Sequence, residues 1–195
     1  MSESPSIPRD IHPGAIGPGR FILVVGPSGA GKDTLIALAQ LACRDNRDIV
    51  FPRRVVTRQA TAFEDNEQLS LEAFQQARGH GKFAVHWEAH GHCYALRRLV
   101  DDDIRANRKV IANVSRTVVD AIRRAYANVV VVLITAAPEI LAERLTMRAR
   151  GSDGKIADRI GRAGDNFSIV ADITIANIES ADHHARELVE IIRAG

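Results

Sequence analysis

The sequence predicts an α/β sandwich built on a mainly parallel sheet, and three observations carry that prediction. Short apolar runs of buried-strand type, Phe21 to Val25, Lys109 to Val114, Val129 to Ile134 and Ile173 to Ile175, alternate with helical periodicities. A glycine-rich loop stands directly between the first such run and the first helical pattern. The length, 195 residues, is enough for one well-buried core and short for two ordinary domains.

The loop reads Gly26-Pro27-Ser28-Gly29-Ala30-Gly31-Lys32-Asp33-Thr34. It follows the phosphate-cradling pattern G-x-x-x-x-G-K-[ST] except at its last position, where Asp33 replaces the hydroxyl. Glycines let backbone N–H groups turn toward a polyphosphate, and Lys32 is placed to reach its β- and γ-phosphates. Leu35, Ile36, Leu38, Ala39 and Ala42 then recur at helical spacing, so a helix N-terminus faces the loop and adds its dipole to anion binding.

The remaining elements follow in order. Ile49 to Thr57 is expected to be a strand that emerges beside the loop and ends at a ligand, with Arg58 at that end. Ser70 is the expected N-cap of a short helix whose third residue is Ala73, and Gly79-His80-Gly81 stops it. Phe83 to Glu88 and Cys93-Tyr94 read as short strands around a turn at His90-Gly91-His92, a small β insertion. A polar helix over about Arg97 to Asn107 leads into the second buried run. Ser115 caps the next helix, whose apolar face is Val118, Val119, Ile122 and Tyr126. Val129 to Ile134 is expected as a central parallel strand, Pro138 opens the following helix, and Leu188, Val189, Ile191 and Ile192 mark the last one.

A formal net charge of +2 with scattered arginine clusters suits anionic small molecules better than a nucleic-acid face. Cys43 and Cys93 make no disulfide framework, and no apolar stretch reaches the length of a membrane span, so a reduced cytoplasmic setting and no membrane partner are expected. Residues 1–19, with four prolines and three glycines, read as a flexible leader ahead of a single domain at 20–195. His90 and His92 flank Gly91, but with only Cys93 nearby they lack the ligand set of a zinc site.

The loop, the Thr57-Arg58 strand end, the His90 to Tyr94 turn and the arginine-rich segment from Arg144 to Arg162 together resemble the guanylate-kinase-like P-loop kinases, from about Arg20 to the C-terminus. Within that superfamily the GPSGAGKD loop, the V-V-T-R run and Asn113-Val114-Ser115-Arg116 are most similar to the ribose 1,5-bisphosphate phosphokinases of phosphonate catabolism. The resemblance implies a three-layer P-loop kinase sandwich with a small β-containing acceptor-binding insertion and an arginine-rich lid around Gly151-Ser152-Asp153-Gly154. It implies ATP as donor, Mg²⁺ as cofactor and a phosphorylated sugar or nucleotide as acceptor, with 5-phosphoribosyl 1-diphosphate (PRPP) as the product in the first case. Guanylate kinase activity and a non-catalytic guanylate-kinase-like binding module stay open as alternatives, as does a homodimer.

Several guanylate kinase features are altered. Arg54-Val55-Val56 replaces most of a hydroxyl run, Gln59-Ala60-Thr61 lacks a second arginine, and Asp65-Asn66 stands in place of Asp-Tyr. His86 and Asn113 fall near the positions of the carboxylates that read guanine, and neither is an obligate anion. Guanine offers N–H donors that a carboxylate accepts best, so this loss favours an acceptor without the base.

The expected roles are then Lys32, Arg148 and Arg159 in catalysis, and Gly26, Pro27, Ser28, Gly29, Ala30, Gly31, Lys32, Asp33, Thr34 and Arg150 at the nucleotide. Arg58, Tyr94, Asn113 and Arg116 are expected at the acceptor, although a buried tyrosine explains Tyr94 equally well. Neither buried strand ends in the aspartate that usually helps to hold metal, so Asp33 is a candidate Mg²⁺ ligand; its alternative is a cap on the following helix.

Overall fold

The computed structural model describes residues 14–58, 65–137, 140–141 and 170–194. Five strands, β1 (Arg20–Val25), β2 (Ile49–Val50), β7 (Lys109–Asn113), β8 (Val129–Thr135) and β9 (Ile173–Ala176), form one sheet in the order β2-β7-β1-β8-β9. Every pairing in it is parallel. A second sheet, ordered β4-β3-β6-β5, contains β3 (Arg54–Val56), β4 (Glu67–Gln68), β5 (Phe83–Ala89) and β6 (His92–Arg97). The helices are α1 (Lys32–Cys43), α2 (Leu71–Gly79), α3 (Leu99–Arg105), α4 (Val119–Ala125) and α5 (Ala181–Arg193).

The central strand is β1, and its alternation builds the layers. Phe21, Leu23 and Val25 enter one core with Val110, Ala112 and Val131, covered by Val100 and Ile104 of α3 and Val119 and Ile122 of α4. Ile22 and Val24 enter the opposite core with Ile111, Val132 and Ile134, covered by Leu35 and Ala39 of α1 and Leu188 and Ile192 of α5. A strand buried on both faces must be apolar at every position, which is why this run reads as continuous rather than alternating. Among the described residues no helix is long and apolar enough to cross a membrane.

Four expectations change in detail. The run Ile49 to Thr57 is not one strand: its two ends pair in different sheets, β2 with β7 and β3 with β6. Pro52, which cannot donate to a ladder, lies between them. Val129 to Thr135 lies one strand from the centre, between β1 and β9. On α1 the buried stripe is Leu35, Ala39 and Cys43, at strict i, i+4, i+8 spacing, while Ala42 is exposed. The polar helix before β7 is shorter than expected, because Arg97 remains in β6 and Asn107 takes a left-handed φ of 60°. Pro138 lies outside the described residues.

The caps agree with the sequence. Ser70 Oγ accepts the Ala73 N–H at 3.1 Å, and Ser115 Oγ accepts the Thr117 N–H at 3.3 Å at the start of a 3₁₀ turn, Arg116–Val118. The β5–β6 turn needs only two residues, His90 at φ 53° and Gly91 at φ 75°, as a tight hairpin twisted like its strands demands. Before β1 the chain is tied to the domain from Ile16 onward, since Ile16 donates to Ala125 O and accepts from the Ala127 N–H.

Among the described residues, the buried polar side chains Asp101, Asp103, Asn177 and His184 each have a partner. The Tyr126 hydroxyl donates to buried Asp101 at 2.6 Å, and burial together with that bond holds the phenol well above its ordinary range. Arg97 of β6 and Glu67 of β4 form a two-point ion pair across the small sheet, and Arg97 holds the Glu67 carboxyl below its ordinary value of 4.5. A lowered carboxylate contributes stability above its unfolded value and loses it as pH falls through the native one. Both side chains are about a third exposed, so solvent screening limits the contribution to about 0.5–1 kcal/mol. Glu67→Gln should therefore lower stability at neutral pH by that amount and match the unaltered protein once the Glu67 carboxyl is protonated in both the folded and the unfolded chain, as read by urea melts across pH.

Candidate active site

The loop between β1 and α1 adopts the phosphate-cradling conformation. Gly26, Gly29 and Gly31 have φ of 148°, 87° and 88°, a region that strains side-chain-bearing residues. At Gly26 a Cβ would meet the Ile134 carbonyl oxygen of β8 at 2.0 Å, so the loop lies directly against the neighbouring strand only because a glycine is there. Ser28, Gly29, Gly31, Lys32, Asp33 and Thr34 line a polar depression at this loop.

The loop carbonyls are satisfied from within and from behind. Lys32 Nζ donates to Gly26 O at 2.9 Å and to Pro27 O at 2.8 Å. Asn177, just past β9 and 4% exposed, donates its Nδ2 to the Ala30 carbonyl at 2.7 Å. Its own backbone N–H is bound to Thr135 O, so the strand end fixes its position. Sequence reading missed Asn177; an amide immediately after an apolar strand run was the available signal.

Asp33 is not a helix cap. Gly31 occupies the N-cap of α1 without any side-chain bond, and Asp33 sits inside the first turn. Its Oδ1 accepts from Asn113 Nδ2 at 2.7 Å and lies 3.4 Å from Arg54 Nη2. Asn113 ends β7, the strand beside β1, so the fold brings two sequence-predicted residues eighty positions apart into direct contact. Arg54 comes from β3 of the small sheet and was missed as well. An arginine inside a short apolar run, 16% exposed in the fold, was its signal.

The other expected acceptor residues stand as follows. Arg116 opens the 3₁₀ turn three residues beyond Asn113 and is half-buried. Arg58 follows β3 by two residues, next to Thr57, whose Oγ1 accepts the Cys93 N–H at 2.9 Å. Tyr94 is 8% exposed and stacked on Trp87 with ring centroids 5.7 Å apart, contacts that fit the packing explanation of this residue. Val56, Val85, Trp87, Tyr94 and Leu96 give the small sheet an apolar inner face, packed with Val114 and Val118. His86 is exposed between buried Val85 and Trp87. Arg148, Arg150 and Arg159, with the lid turn at Gly151 to Gly154 and with Arg144 and Arg162, lie outside the described residues.

His183, His184 and Glu187 are clustered at the start of α5. They build the helix start rather than a cation site: His184 Nε2 accepts the Glu179 N–H, and Nδ1 bonds Glu187 at 2.6 Å. Both ring nitrogens of the buried imidazole are thereby used.

A parallel sheet with helices on both faces, a phosphate loop after its central strand and a small mixed sheet beside it define the guanylate-kinase-like P-loop kinase fold. Guanylate kinase from Anaplasma phagocytophilum superposes with a TM-score of 0.64 over 90% of this chain and 85% of its own, at 20% identity. No family model matches the sequence. Among curated proteins, the chain is 62% identical over 180 residues to ribose 1,5-bisphosphate phosphokinase PhnN of Bradyrhizobium diazoefficiens, covering 92% of this chain and 91% of that one. It is 59% identical over 180 residues to the protein of the same name from Rhodopseudomonas palustris, covering 92% and 91% of the two chains. For that of Methylobacterium radiotolerans the identity is 46% over 177 residues, covering 91% and 99%. The chain belongs to the ribose 1,5-bisphosphate phosphokinase family.

The buried amide behind the loop has a measurable role. Asn177→Ala leaves the Ala30 carbonyl without its donor and should cost about 1–3 kcal/mol in a urea melt, together with weaker ADP binding. Asn177→Asp should not restore either property, because a carboxylate cannot donate; an unchanged urea midpoint in the alanine variant would contradict this role.

Proposed function

We propose that this protein transfers the γ-phosphoryl group of ATP to the 1-phosphate of ribose 1,5-bisphosphate, releasing ADP and forming 5-phosphoribosyl 1-diphosphate. The observation that carries the reading is the pairing of Asp33 with Asn113: the strand-end position offers a neutral amide, and its hydrogen-bond donor is directed at the loop's own carboxylate. With His86 exposed and the inner face of the small sheet apolar, the described residues present none of the carboxylates that guanine recognition calls for.

The chemistry needs charge management more than acid–base help. A phosphate monoester is already largely dianionic at neutral pH, its second pKa being about 6, so the attacking oxygen needs no general base. An oxygen of the 1-phosphate attacks the γ-phosphorus, the bond from that phosphorus to the β-bridging oxygen breaks, and ADP leaves with the electron pair. Two anions must approach each other for this to occur, and in-line positioning with cationic neutralisation is the main catalytic contribution.

The loop N–H groups cradle the donor's β- and γ-phosphates, and Lys32 exchanges the Gly26 and Pro27 carbonyls for phosphate oxygens. Arg58 and Arg116 hold the acceptor's phosphates from the strand ends, where open α/β sheets bind ligands. The family resemblance assigns Arg148, Arg150 and Arg159 to neutralising the charge on the transferring group. The donor set fits Mg²⁺: Asp33 has a second carboxylate oxygen with no described protein partner, and Thr34 supplies a hydroxyl beside it in the same depression. Mg²⁺ takes one or two carboxylates plus phosphates and water in this class of site, and it would neutralise charge on the β- and γ-phosphates. Asn113 orients Asp33 for that task.

An ADP-release assay with ribose 1,5-bisphosphate and GMP side by side tests the reading. Faster turnover of the sugar bisphosphate is expected, and faster turnover of GMP overturns it. Asp33→Ser separately tests the metal role: it should shift the Mg²⁺ optimum and weaken nucleotide binding, whereas an unchanged optimum and affinity would remove Asp33 from the metal's ligands.

A further inference from the structure

Arg54 is placed where neither its strand nor its packing needs a cation. It belongs to the small sheet, in register with Leu96 of β6, yet its guanidinium leaves that sheet for the rim of the phosphate loop. The side chain is 16% exposed, and its partner among the described residues is Asp33 at 3.4 Å. That separation is longer than the ~2.7–2.9 Å of a well-formed charge-assisted bond, whereas Asn113 holds the same oxygen at 2.7 Å. Asp33 is thus positioned by Asn113, and Arg54 remains a mostly buried cation with one loose contact and a planar five-donor fork. Such a fork matches a phosphate at two points.

Resting on the kinase reading above, we propose that Arg54 is a further ligand of the transfer site, binding the acceptor phosphate that faces the loop and linking occupancy of the two halves. When Asp33 turns to the metal-bound donor, the guanidinium loses its counter-charge and gains affinity for an anion at the same rim. When the acceptor phosphate takes the guanidinium, Asp33 is released toward the donor side. The coupling is reciprocal, as any linkage between two sites must be. It also accounts for an arginine in a strand that otherwise reads as core.

The test compares the full-length protein with Arg54→Ala and Arg54→Lys, using calorimetric titration with ribose 1,5-bisphosphate in the presence of Mg²⁺ and a non-hydrolysable ATP analogue. Arg54→Ala should weaken acceptor binding about 10- to 100-fold, the range expected for a charged hydrogen-bonding partner. Arg54→Lys should recover part of that loss, because a point charge replaces the fork. Affinity for the analogue measured without acceptor should hold or tighten modestly, because the guanidinium no longer competes for Asp33, and thermal melts identify any variant that has not folded. In the unaltered protein the analogue should tighten acceptor binding, and in Arg54→Ala it should not. Acceptor affinity unchanged in folded Arg54→Lys and Arg54→Ala overturns the proposal, as does an equal loss of analogue and acceptor binding, which marks Arg54 as a support of the loop alone. If the unaltered protein binds GMP and not the sugar bisphosphate, the assignment of the sugar bisphosphate as acceptor fails, while the same comparison read on GMP still decides the role of Arg54.

Discussion

A phosphate loop must leave its N–H groups pointing at the ligand, and the structure follows from how the opposing carbonyls are satisfied. Asn177 binds Ala30 O from behind, Lys32 binds Gly26 O and Pro27 O from the front, and Gly26 lies against Ile134 where a Cβ would stand 2.0 Å from its carbonyl. These contacts require β1 to be flanked by β8 and require the end of β9 to reach the loop. Sheet order and loop geometry are therefore one constraint. An irregular backbone this close to buried strands is tolerated because its polar groups are paired.

The same loop shows how a familiar arrangement can be kept with its polarity exchanged. A hydroxyl after the lysine and a carboxylate at the neighbouring strand end would bring one neutral and one anionic oxygen group to the metal side. Here the carboxylate is Asp33, on α1, and the neutral partner is Asn113, on β7. One anion and one hydrogen bond are retained, while the carboxylate has moved from the rigid end of a strand to the first turn of a helix, where the dipole favours it. The move also brings the anion within reach of Arg54, which ties the small sheet to the loop.

How much of this was legible depends on whether the signal is local. The buried runs, the loop, the Ser70 and Ser115 caps and the apolar stripe of α4 are properties of neighbouring residues, and the fold contains them as the sequence implies. The break at Pro52 was hidden because apolar β-branched residues flank it on both sides, and pairing partners from two different sheets decided where each piece went. Asp33 as a helix cap was reasonable from composition, but the glycine at residue 31 took the cap position and freed the carboxylate for Asn113. Arg54 and Asn177 act across separations that no pattern in the chain expresses.

The sequence by itself determined the layered α/β class, the phosphate loop with its departure at Asp33, and the kinase family to which the chain belongs. Those depend on periodicity and on spacings within a few residues, which the covalent chain carries directly. Tertiary structure decided that β1 is central, that Asn113 and Arg54 meet at Asp33, that Asn177 backs the loop and that Tyr94 stacks on Trp87. Each of these is a contact between elements, set by which strands pair and which faces close on one another, and it exists only once the two cores have formed.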